Sequence, residues 1–331
     1  MMHTADRLLM LLAVGQPQPQ ADLCAALAIT PAVLQQALQQ LRSQGLSLQQ
    51  VTPEVYQLPE PLELLDKSKI FHALNPLARE QLSHFEIVPS IDSTNAYLLN
   101  STQQAGFSLC LAEYQTAGRG RQGKQWISPY ASGLCLSVKY RYAHLTQPLT
   151  GLNIALAIST VKALWALGAT STRIKWPNDI WWEGRKLAGL LLETRSMNRS
   201  QEVVMGIGMN LNLPADMPAV DQPLVDLSTI LGRKISRNLV AAQIINHWLE
   251  TFLNYPQMGL EAYADDWQAF DLLRGQVVQI HTATEIVTGT AVGIDAAGAL
   301  LVQVGQRLQR YLYGVSIHTR PHLSSDQAID R

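Results

Sequence analysis

The chain has 331 residues, of which 47% are hydrophobic and 15% charged, and its formal net charge is −1 at pH 7. This length and apolar content suffice for two or three domains with packed cores. A nearly neutral chain has no overall attraction to nucleic acid or to anionic membranes, so any site for a polyanion has to be local.

Residues that commonly hold metals or form disulfides are scattered along the chain. The cysteines are too far apart for a disulfide framework or a metal cluster, and the histidines show no paired ligand spacing. We therefore predict no metal site and buried free thiols at Cys24, Cys110 and Cys135. No segment reaches the ~18 apolar residues that span a bilayer, and the apolar run from Leu8 to Val14 lacks a cleavage site. These features predict a soluble, cytoplasmic protein without a membrane partner.

The N-terminal part of the chain predicts short helices followed by a pair of strands. The helices are predicted at Ala5–Val14, Ala21–Leu27 and Pro31–Gln44. Thr30 is an N-cap residue for the third of these, and Pro31 suits its first helical position. Residues 47–58 alternate as two short strands, and a proline-rich linker follows at 59–61. This order is typical of a winged helix-turn-helix, which we assign to residues 1–64.

The remainder of the chain predicts two further domains, so that the whole is an α+β multidomain protein. Residues 65–272 predict a mixed α/β domain with a mostly antiparallel sheet and helices on one side. Its strands are predicted at Leu109–Glu113, Leu134–Tyr140, Leu187–Glu193 and Val203–Asn210. Its helices are predicted at Leu152–Leu167, Asn238–Tyr255 and Leu260–Phe270. Residues 273–331 predict a small SH3-like β-barrel from the alternating segments Val277–His281, Glu285–Ile294, Ala299–Val304 and Leu308–Tyr313.

Cations are gathered around glycines in one segment, Gly118-Arg119-Gly120-Arg121-Gln122-Gly123-Lys124. Glycine lets backbone N–H groups turn toward an anion, and arginine adds a fixed fork of donors. Alone, such a segment is equally typical of a solvated or RNA-binding loop. The later segments 175–179 and 185–189, in this order and spacing, favour an anion site.

These segments resemble the motifs of the biotin protein ligases, specifically the bifunctional three-domain type that also represses the biotin operon. The resemblance runs from about residue 5 to 320. Its motifs are Asp92-Ser93-Thr94-Asn95, Glu113 to Arg121, Lys175 to Asp179, Lys186 to Gly189, and Gly206 to Asn210. Any one of them is a weak signal, but five in order are specific.

The resemblance implies an ATP-dependent, AMP-forming ligase. The biotin carboxylate attacks the α-phosphate of ATP, giving biotinyl-5′-AMP and pyrophosphate, and a lysine of a biotin carboxyl carrier protein then attacks the mixed anhydride. Two anions meet in the first step, so fixed cations have to stabilise its transition state, with Mg²⁺ bridging the phosphates. The implied catalytic residues are Lys186, Arg119 and Asp179. Asp179 would orient the acceptor lysine or take its proton.

The resemblance also implies two binding sets. For biotin these are Ser93, Thr94, Asn95, Gln115, Arg119, Gly120, Arg121, Lys186 and Gly189. For the nucleotide they are Arg121, Trp126, Asn178 and Asn210. Taken alone, these residues also have simpler structural interpretations. Lys186 is compatible with a surface lysine, Asp179 with a turn residue, Trp126 with a core residue, and residues 93–95 with a helix N-cap. The sequence departs from the family at Lys124, Leu224 and His318, where an arginine, an aromatic residue and an arginine are common.

Two alternative functions stay open at this stage. A lipoate or octanoyl ligase shares the lysine and the carrier acceptor, but its substrate has no ureido group for residues 93–95. A biotin-sensing transcription factor without ligase activity is the other.

We expect a homodimer. DNA binding is expected to be weak, because residues 1–60 contain only Arg7 and Arg42 as cations and the third helix presents glutamines.

Overall fold

The computed structural model describes residues 3–102, 106–143, 145, 148–197, 200–214, 222–282, 285–312 and 316–319. Its N-terminal unit begins with helices and closes with short strands. The elements are α1 (Thr4–Leu12), β1 (Gln18–Pro19), α2 (Gln20–Leu27), α3 (Pro31–Ser43), β2 (Gln49–Thr52) and β3 (Val55–Gln57). The strands pair in the order β1-β3-β2, all antiparallel. The three predicted helices and the strand pair are therefore confirmed within a few residues.

Leucines from all three helices form the core of this unit, and none of its helices is long. Thr30 caps α3 as predicted, since its Oγ1 accepts a hydrogen bond of 3.4 Å from Val33 N–H. Tyr130 and Ala131, from the next part of the chain, complete the same core. Tyr130 O–H lies 3.2 Å from Asp6 Oδ1 of α1, and its N–H donates to the carbonyl of Gln44. The N-terminal unit is thus packed onto the segment that follows the glycine-rich loop.

The central part contains a large sheet with helices. Its elements are α4 (Lys67–Ala73), α5 (Pro76–Gln81), β4 (Leu82–Ile91), α6 (Thr94–Asn100), β5 (Phe107–Gln115), β6 (Gly133–Tyr142), α7 (Leu152–Ala166), β7 (Arg173–Lys175), β8 (Asp179–Trp182), β9 (Arg185–Met197), β10 (Ser200–Asn210), α8 (Leu227–Leu231), α9 (Arg237–Met258) and α10 (Ala264–Phe270). The strand order is β4-β5-β6-β10-β9-β8-β7. The β4–β5 pair is parallel and the other neighbours are antiparallel, which confirms a mixed α/β core with a mostly antiparallel sheet.

The two faces of this sheet have different compositions. Successive side chains of a strand point to opposite faces, so every second residue shares an environment. One face is apolar and packs against α7 and α9, through residues such as Leu136 on β6 and Met205 on β10. The other face carries α6 and, near it, small and polar residues such as Ser137 and Gly206. Most of the residues predicted for the site lie on or beside this second face.

The C-terminal part is an antiparallel sheet that shares the core of the central part. Its strands are β11 (Val277–His281), β12 (Ile286–Ile294), β13 (Leu300–Val304), β14 (Arg307–Tyr311) and β15 (Ser316–Thr319). They pair in the order β14-β13-β12-β11-β15. Leu300 and Val302 belong to the same hydrophobic cluster as α7. Trp176 Nε1 also donates to the carbonyl of Gly298 at 2.8 Å, which confirms the structural interpretation of this tryptophan. The predicted strand end at Tyr313 and the side chain of His318 lie outside the described residues.

A segment after the predicted linker is bound tightly to the central part. The Glu63 carboxylate accepts from Ser236 Oγ and from the backbone N–H of Arg237, both at 2.6 Å. The Arg237 guanidinium, which is buried, pairs with Glu113 at 2.7 Å. Breaking a buried pair of this kind is strongly destabilising, because it leaves a charge uncompensated. Within the described residues, no single helix is both long and apolar enough to cross a membrane.

Candidate active site

The turn from β4 into α6 forms one wall of a cleft. Ser93 caps α6, with its Oγ accepting from Ala96 N–H at 3.5 Å, so the N-cap reading of this motif holds. Thr94 donates to Gln115 Oε1 from its backbone N–H (2.9 Å) and from its hydroxyl (3.2 Å). Ser137 Oγ lies 2.7 Å from Thr94 Oγ1. This end of the cleft is therefore a network of neutral donors and acceptors.

Asn95 is held on the sheet by hydrogen bonds at both ends of its amide. Its Oδ1 accepts from Ser137 Oγ at 2.5 Å. Its Nδ2 donates to the carbonyl of Leu191 at 3.1 Å and to Glu193 Oε2 at 2.9 Å. The amide lies against Gly206, where a Cβ atom would be 2.2 Å from Asn95 Oδ1. Glycine is thus required at 206 for the close approach of this side chain.

Trp126 occupies the matching place two residues along β10. A Cβ atom at Gly208 would be 2.3 Å from Trp126 Cε2, so the indole lies directly on the strand backbone. Its Nε1 is buried and has no hydrogen-bond partner among the described residues. The space beside both glycines is therefore filled by the chain's own side chains.

The glycine-rich segment 118–126 folds into a compact loop over the cleft. Gly120 N–H donates to the carbonyl of Lys124 at 2.7 Å, and Trp126 N–H donates to that of Gly118 at 2.9 Å. The loop is tied to the sheet by its two arginines. Arg119 Nη2 pairs with Glu193 Oε2 at 2.9 Å, and Arg121 Nη1 donates to Asn178 Oδ1 at 3.2 Å.

Lys186 reaches the cleft because of a bulge in β9. Asp179 is paired with Gly189 and Ile180 with Ala188, but Trp181 is paired with Lys186, so Leu187 is the extra residue. Leu187 and Ala188 are both in the apolar core. Without the extra residue, the alternation along the strand would direct Lys186 to the core face. The bulge therefore places the lysine beside the cleft.

The ammonium of Lys186 pairs with the carboxylate of Asp179. Their Nζ and Oδ2 atoms are 2.9 Å apart, and both side chains are mostly buried. The same ammonium lies 5.7 Å from the centroid of the Trp126 ring. Asn178, next to Asp179, donates to the carbonyl of Leu190, which fixes the turn that carries both residues. Asn210 is also buried here, and its Nδ2 donates to the carbonyl of Val225 at 3.2 Å.

All of the residues predicted for the site line one cleft of about 840 Å³. Its neutral end is formed by residues 93–95, Gln115 and Ser137, and its cationic end by Arg119, Arg121, Lys124, Lys175 and Lys186. Leu224 also lines the cleft, beside Lys186. The carbonyl of Pro223, the preceding residue, accepts a hydrogen bond from the backbone N–H of Lys186. A second hollow, of about 1080 Å³, lies along the outer side of the same loop and contains neither Lys186 nor residues 93–95.

Several residues of the cleft had no role predicted from the sequence. Ser137 and Glu193 orient Asn95, and only the register of strands far apart in the chain reveals this. Trp181, to which no motif of the family assigned a role, lines the cleft, whereas Trp182 packs on the core. Lys175 lies in the family motif but had no assigned chemistry. Burial lowers its pKa, with Lys186 and Lys124 adding to the effect and Asp179 opposing it.

The cysteines are candidates for thiol chemistry and, with the histidines and acidic residues, for metal binding. Burial raises the pKa of the Cys110 and Cys135 thiols to about 12, so both stay protonated. All three cysteines are free, as predicted, but Cys24 is only half-buried, so the prediction of a buried thiol is wrong at that position. Over the described ranges, no cluster of three or more histidine, cysteine or acidic side chains could hold a metal ion.

The chain matches two family models and many curated proteins. The Biotin/lipoate A/B protein ligase family model matches residues 87–210, and the Biotin protein ligase C terminal domain model matches residues 275–317. The Bifunctional ligase/repressor BirA of Salmonella typhimurium is 33% identical over 299 residues, which is 89% of this chain and 91% of that protein. The chain belongs to the biotin protein ligase family. The Biotin--[acetyl-CoA-carboxylase] ligase of Mycobacterium tuberculosis is 31% identical over 244 residues, 71% of this chain and 89% of that one.

A solved structure of another family member has the same fold. It is the biotin protein ligase from Aquifex aeolicus in complex with biotin and ATP, with a TM-score of 0.63. The match covers 72% of this chain and 100% of that one at 23% identity. At this identity the likeness concerns the fold alone. The biotin protein ligase fold of the central part is therefore supported independently of the motifs.

Proposed function

We propose that this chain is a biotin–protein ligase, which activates biotin with ATP to biotinyl-5′-AMP and transfers it to a lysine of a carrier protein. One observation carries the proposal: a single cleft joins a neutral hydrogen-bonding end to a cationic end with the Lys186–Asp179 pair between them. Biotin has the matching shape, a neutral ureido ring joined by an alkyl chain to a carboxylate. Curated relatives over about 90% of the chain are named bifunctional ligase/repressor, and a relative over 71% of the chain is named a Biotin--[acetyl-CoA-carboxylase] ligase.

The neutral end is assigned to the ureido ring. A buried neutral group of this kind needs neutral donors and acceptors, which Ser93, Thr94, Asn95 and Gln115 supply. A lipoyl or octanoyl group has no N–H or C=O at this end, so the donors and acceptors that remain after the hydrogen bonds within this network would stay unpaired, which costs about 1–3 kcal/mol for each buried group. The polar network therefore favours biotin over those substrates.

The cationic end is assigned to the reaction. Lys186 and Arg119 hold the biotin carboxylate and the α-phosphate of ATP close together, and Arg121, Trp126, Asn178 and Asn210 hold the nucleotide. Gly120 and Gly189 leave room for the carboxyl end of biotin. In the second step Asp179, now relieved of Lys186 by the anionic adenylate, orients the acceptor lysine or takes its proton.

Mg²⁺ is proposed to arrive with the phosphates of ATP. The acidic side chains at the cationic end, Asp179 and Glu193, are each paired with a cation, Lys186 and Arg119. Magnesium is commonly held by substrate phosphates, waters and one or two carboxylates, and this site offers no more than that. When bound, it supplies charge neutralisation of the phosphates.

We further propose three domains: a winged helix-turn-helix at residues 1–64, the ligase domain at 65–272 and an SH3-like barrel at 273–331. Three helices together with a small antiparallel sheet in the order β1-β3-β2 support the first, and the antiparallel order β14-β13-β12-β11-β15 supports the last. The relatives' names include a repressor role, which makes DNA a second partner beside the carrier protein. A homodimer and a cytoplasmic location complete the proposal.

The test is a transfer assay with the full chain, MgATP and a carrier domain. With biotin, we expect covalent modification of the carrier lysine, detected as a mass increase of the carrier domain. With lipoate or octanoate in place of biotin, we expect none. Modification with lipoate but not with biotin would contradict the assignment of the neutral end.

A further inference from the structure

Lys175 is a lysine of the cleft that the chemistry above does not use. It is the last residue of β7, the edge strand of the large sheet, and lies opposite Asp179 in the β7–β8 pair. Directly paired residues of two strands share a face, so Lys175 lies on the face that carries Asp179. It lines the cleft together with Asp179 and Lys186.

The ammonium of Lys175 has no anionic partner within the described part of the chain. Its Nζ lies 4.3 Å from the centroid of the Trp181 ring, and neither an ion pair nor a hydrogen bond of this group is found there. The carboxylate of Asp179, which lies opposite Lys175 in the strand pair, forms its ion pair with Lys186, at an Oδ2–Nζ distance of 2.9 Å. An aromatic face attracts a cation without neutralising it. Trp181 therefore positions the ammonium and leaves its charge available.

The cleft as a whole carries an excess of positive charge. Five cations and one carboxylate line it among the described residues: Arg119, Arg121, Lys124, Lys175, Lys186 and Asp179. Glu193, just outside the lining, pairs with Arg119. Burial lowers the pKa of Lys175; the Asp179 carboxylate opposes this, and the ammonium groups of Lys186 and Lys124 add to it. Partly buried like charges are unfavourable without counter-charge, so this end requires a ligand that carries several negative charges.

The order of the strands gives the direction in which such a ligand lies. The neutral end includes Gln115 on β5 and Ser137 on β6, Lys186 is on β9 and Lys175 is on β7, in the strand order β5-β6-β10-β9-β8-β7. Lys175 is thus two strands, about 10 Å, beyond Lys186 on the side away from the neutral end. In phosphoryl and nucleotidyl transfer the attacking and leaving oxygens are roughly in line through phosphorus. A biotin carboxylate at Lys186 attacks the α-phosphorus from the side of the neutral end. The leaving pyrophosphate then lies on the opposite side of the phosphorus, toward β7.

We propose that Lys175 binds the β- and γ-phosphates of ATP and stabilises pyrophosphate as it leaves. This rests on the proposed function. In the step, a biotin carboxylate oxygen forms a bond to the α-phosphorus, and the bond from that phosphorus to the bridging oxygen breaks. The electron pair stays on the bridging oxygen, so pyrophosphate takes up the negative charge and no proton moves. An ammonium fixed at this place stabilises that developing charge.

The inference separates the two half-reactions, because only the first involves pyrophosphate. In the full chain, Lys175→Met keeps the length of the side chain and removes the charge. We expect kcat/KM for ATP in biotin-dependent adenylate formation to fall roughly 10²-fold, in the range of a lost charged donor. In the reverse reaction, KM for pyrophosphate should rise. Transfer from synthetic biotinyl-5′-AMP to a carrier domain, without ATP, should stay within about twofold of wild type.

Further variants distinguish this role from a structural one. Lys175→Arg should recover part of the adenylation rate, and Trp181→Leu, which removes the ring under the ammonium, should give the same split in a weaker form. Arg185→Met is the matched control. Its guanidinium lies 4.7 Å from the Trp182 ring on the same hairpin, but outside the cleft lining, so both half-reactions should be unchanged.

Two results would overturn the inference while the proposed function stands. One is unchanged adenylation in Lys175→Met, and the other is an equal loss in both half-reactions. If Lys175→Met does not fold, an unchanged KM for pyrophosphate in both Lys175→Arg and Trp181→Leu has the same meaning. A wild-type protein that forms no adenylate with biotin would instead overturn the proposed function, and this inference with it.

Discussion

Lys186 and Asp179 face each other across neighbouring strands, with Nζ and Oδ2 2.9 Å apart, because a single extra residue in β9 turns the lysine toward the cleft. In this arrangement the carboxylate holds the ammonium in place until an anionic ligand arrives. The pair explains why an aspartate and a lysine seven residues apart belong to one site. The hairpin between them, and its bulge at Leu187, set their distance.

Replacing Lys186 by methionine should abolish most of the first half-reaction. Loss of one well-placed charged donor from a site of this kind typically costs about 10²–10³ in rate. The protein should fold normally, since the side chain is not part of the apolar core. Lys234→Met is the control, because Lys234 pairs with Glu60 at the surface. Adenylate formation by Lys186→Met near the wild-type rate at saturating ATP would refute the assignment.

Gly208→Ala should act through Trp126. The added methyl would lie 2.3 Å from Cε2 of the indole, which then has to leave its place on the strand. We expect KM for ATP to rise roughly tenfold, as it should for Trp126→Ala, and the double variant to be no worse than either single one. Kinetics of the three variants measure this coupling. Strictly additive effects would show that the glycine acts independently of the tryptophan.

The stability of the fold should depend on pH through Asp271. Burial raises the pKa of this carboxyl from 3.8 to about 6, and the N–H of Leu273, which donates to Oδ1, lowers it only in part. Because the folded-state pKa lies above the unfolded one, the contribution to stability is present below about pH 4 and is lost as the pH rises through 6. Asp271→Asn should therefore be more stable than wild type at pH 8, by up to about 3 kcal/mol.

Thermal unfolding of both proteins at pH 4.5 and pH 8 measures this difference. We expect the melting temperatures to be similar at pH 4.5 and that of Asp271→Asn to be higher at pH 8. Asp265→Asn, an exposed carboxylate on α10, is the control and should show no such change between the two pH values. A variant less stable than wild type at pH 8 would contradict the sign of the shift.

Long apolar strands and helices could be predicted from the sequence, whereas short or exposed ones could not. Strands β6, β9 and β10 contain apolar stretches that are typical of strands, and α7 is apolar enough to be recognised. Strand β4 was missed, because it is a sheet edge whose residues are mostly half-buried, so its alternation is weak. Helices α4 and α5 are too short for a period to appear. The predicted helix 260–270 is a 3₁₀ turn followed by α10.

The motif residues of the site could be identified from the sequence, but the way they are held could not. Asn95 lies on Gly206 and is oriented by Ser137 and Glu193, which follow it by 42 and 98 residues. Such contacts depend on the register of several strands at once. The bulge at Leu187 is equally invisible, since a strand with one extra residue has the same composition as one without it.

Binding of this chain to DNA should be weak. The third helix exposes Gln36, Gln39 and Gln40, while Gln35 donates to the hydroxyl of Tyr56 at 2.6 Å. Glutamines neutralise no phosphate, and phosphate contacts supply most of the affinity in such complexes. A fluorescence titration against the protein's own biotin-operon upstream region, with biotin and ATP, measures it. Glu54→Lys, at the tip of the β2–β3 turn, should increase affinity. Nanomolar, salt-sensitive and sequence-specific binding by the wild type would contradict this interpretation of the charges.

The most direct test of the central claim is to identify the acyl-adenylate that the cleft forms. The full chain is incubated with MgATP labelled at the α-phosphate, and with biotin, lipoate or octanoate in separate reactions without a carrier. We predict biotinyl-5′-AMP with biotin, and no labelled adenylate with the other two acids, because only biotin satisfies residues 93–95 and Gln115. Absence of an adenylate with biotin, or its formation with lipoate instead, would contradict the account.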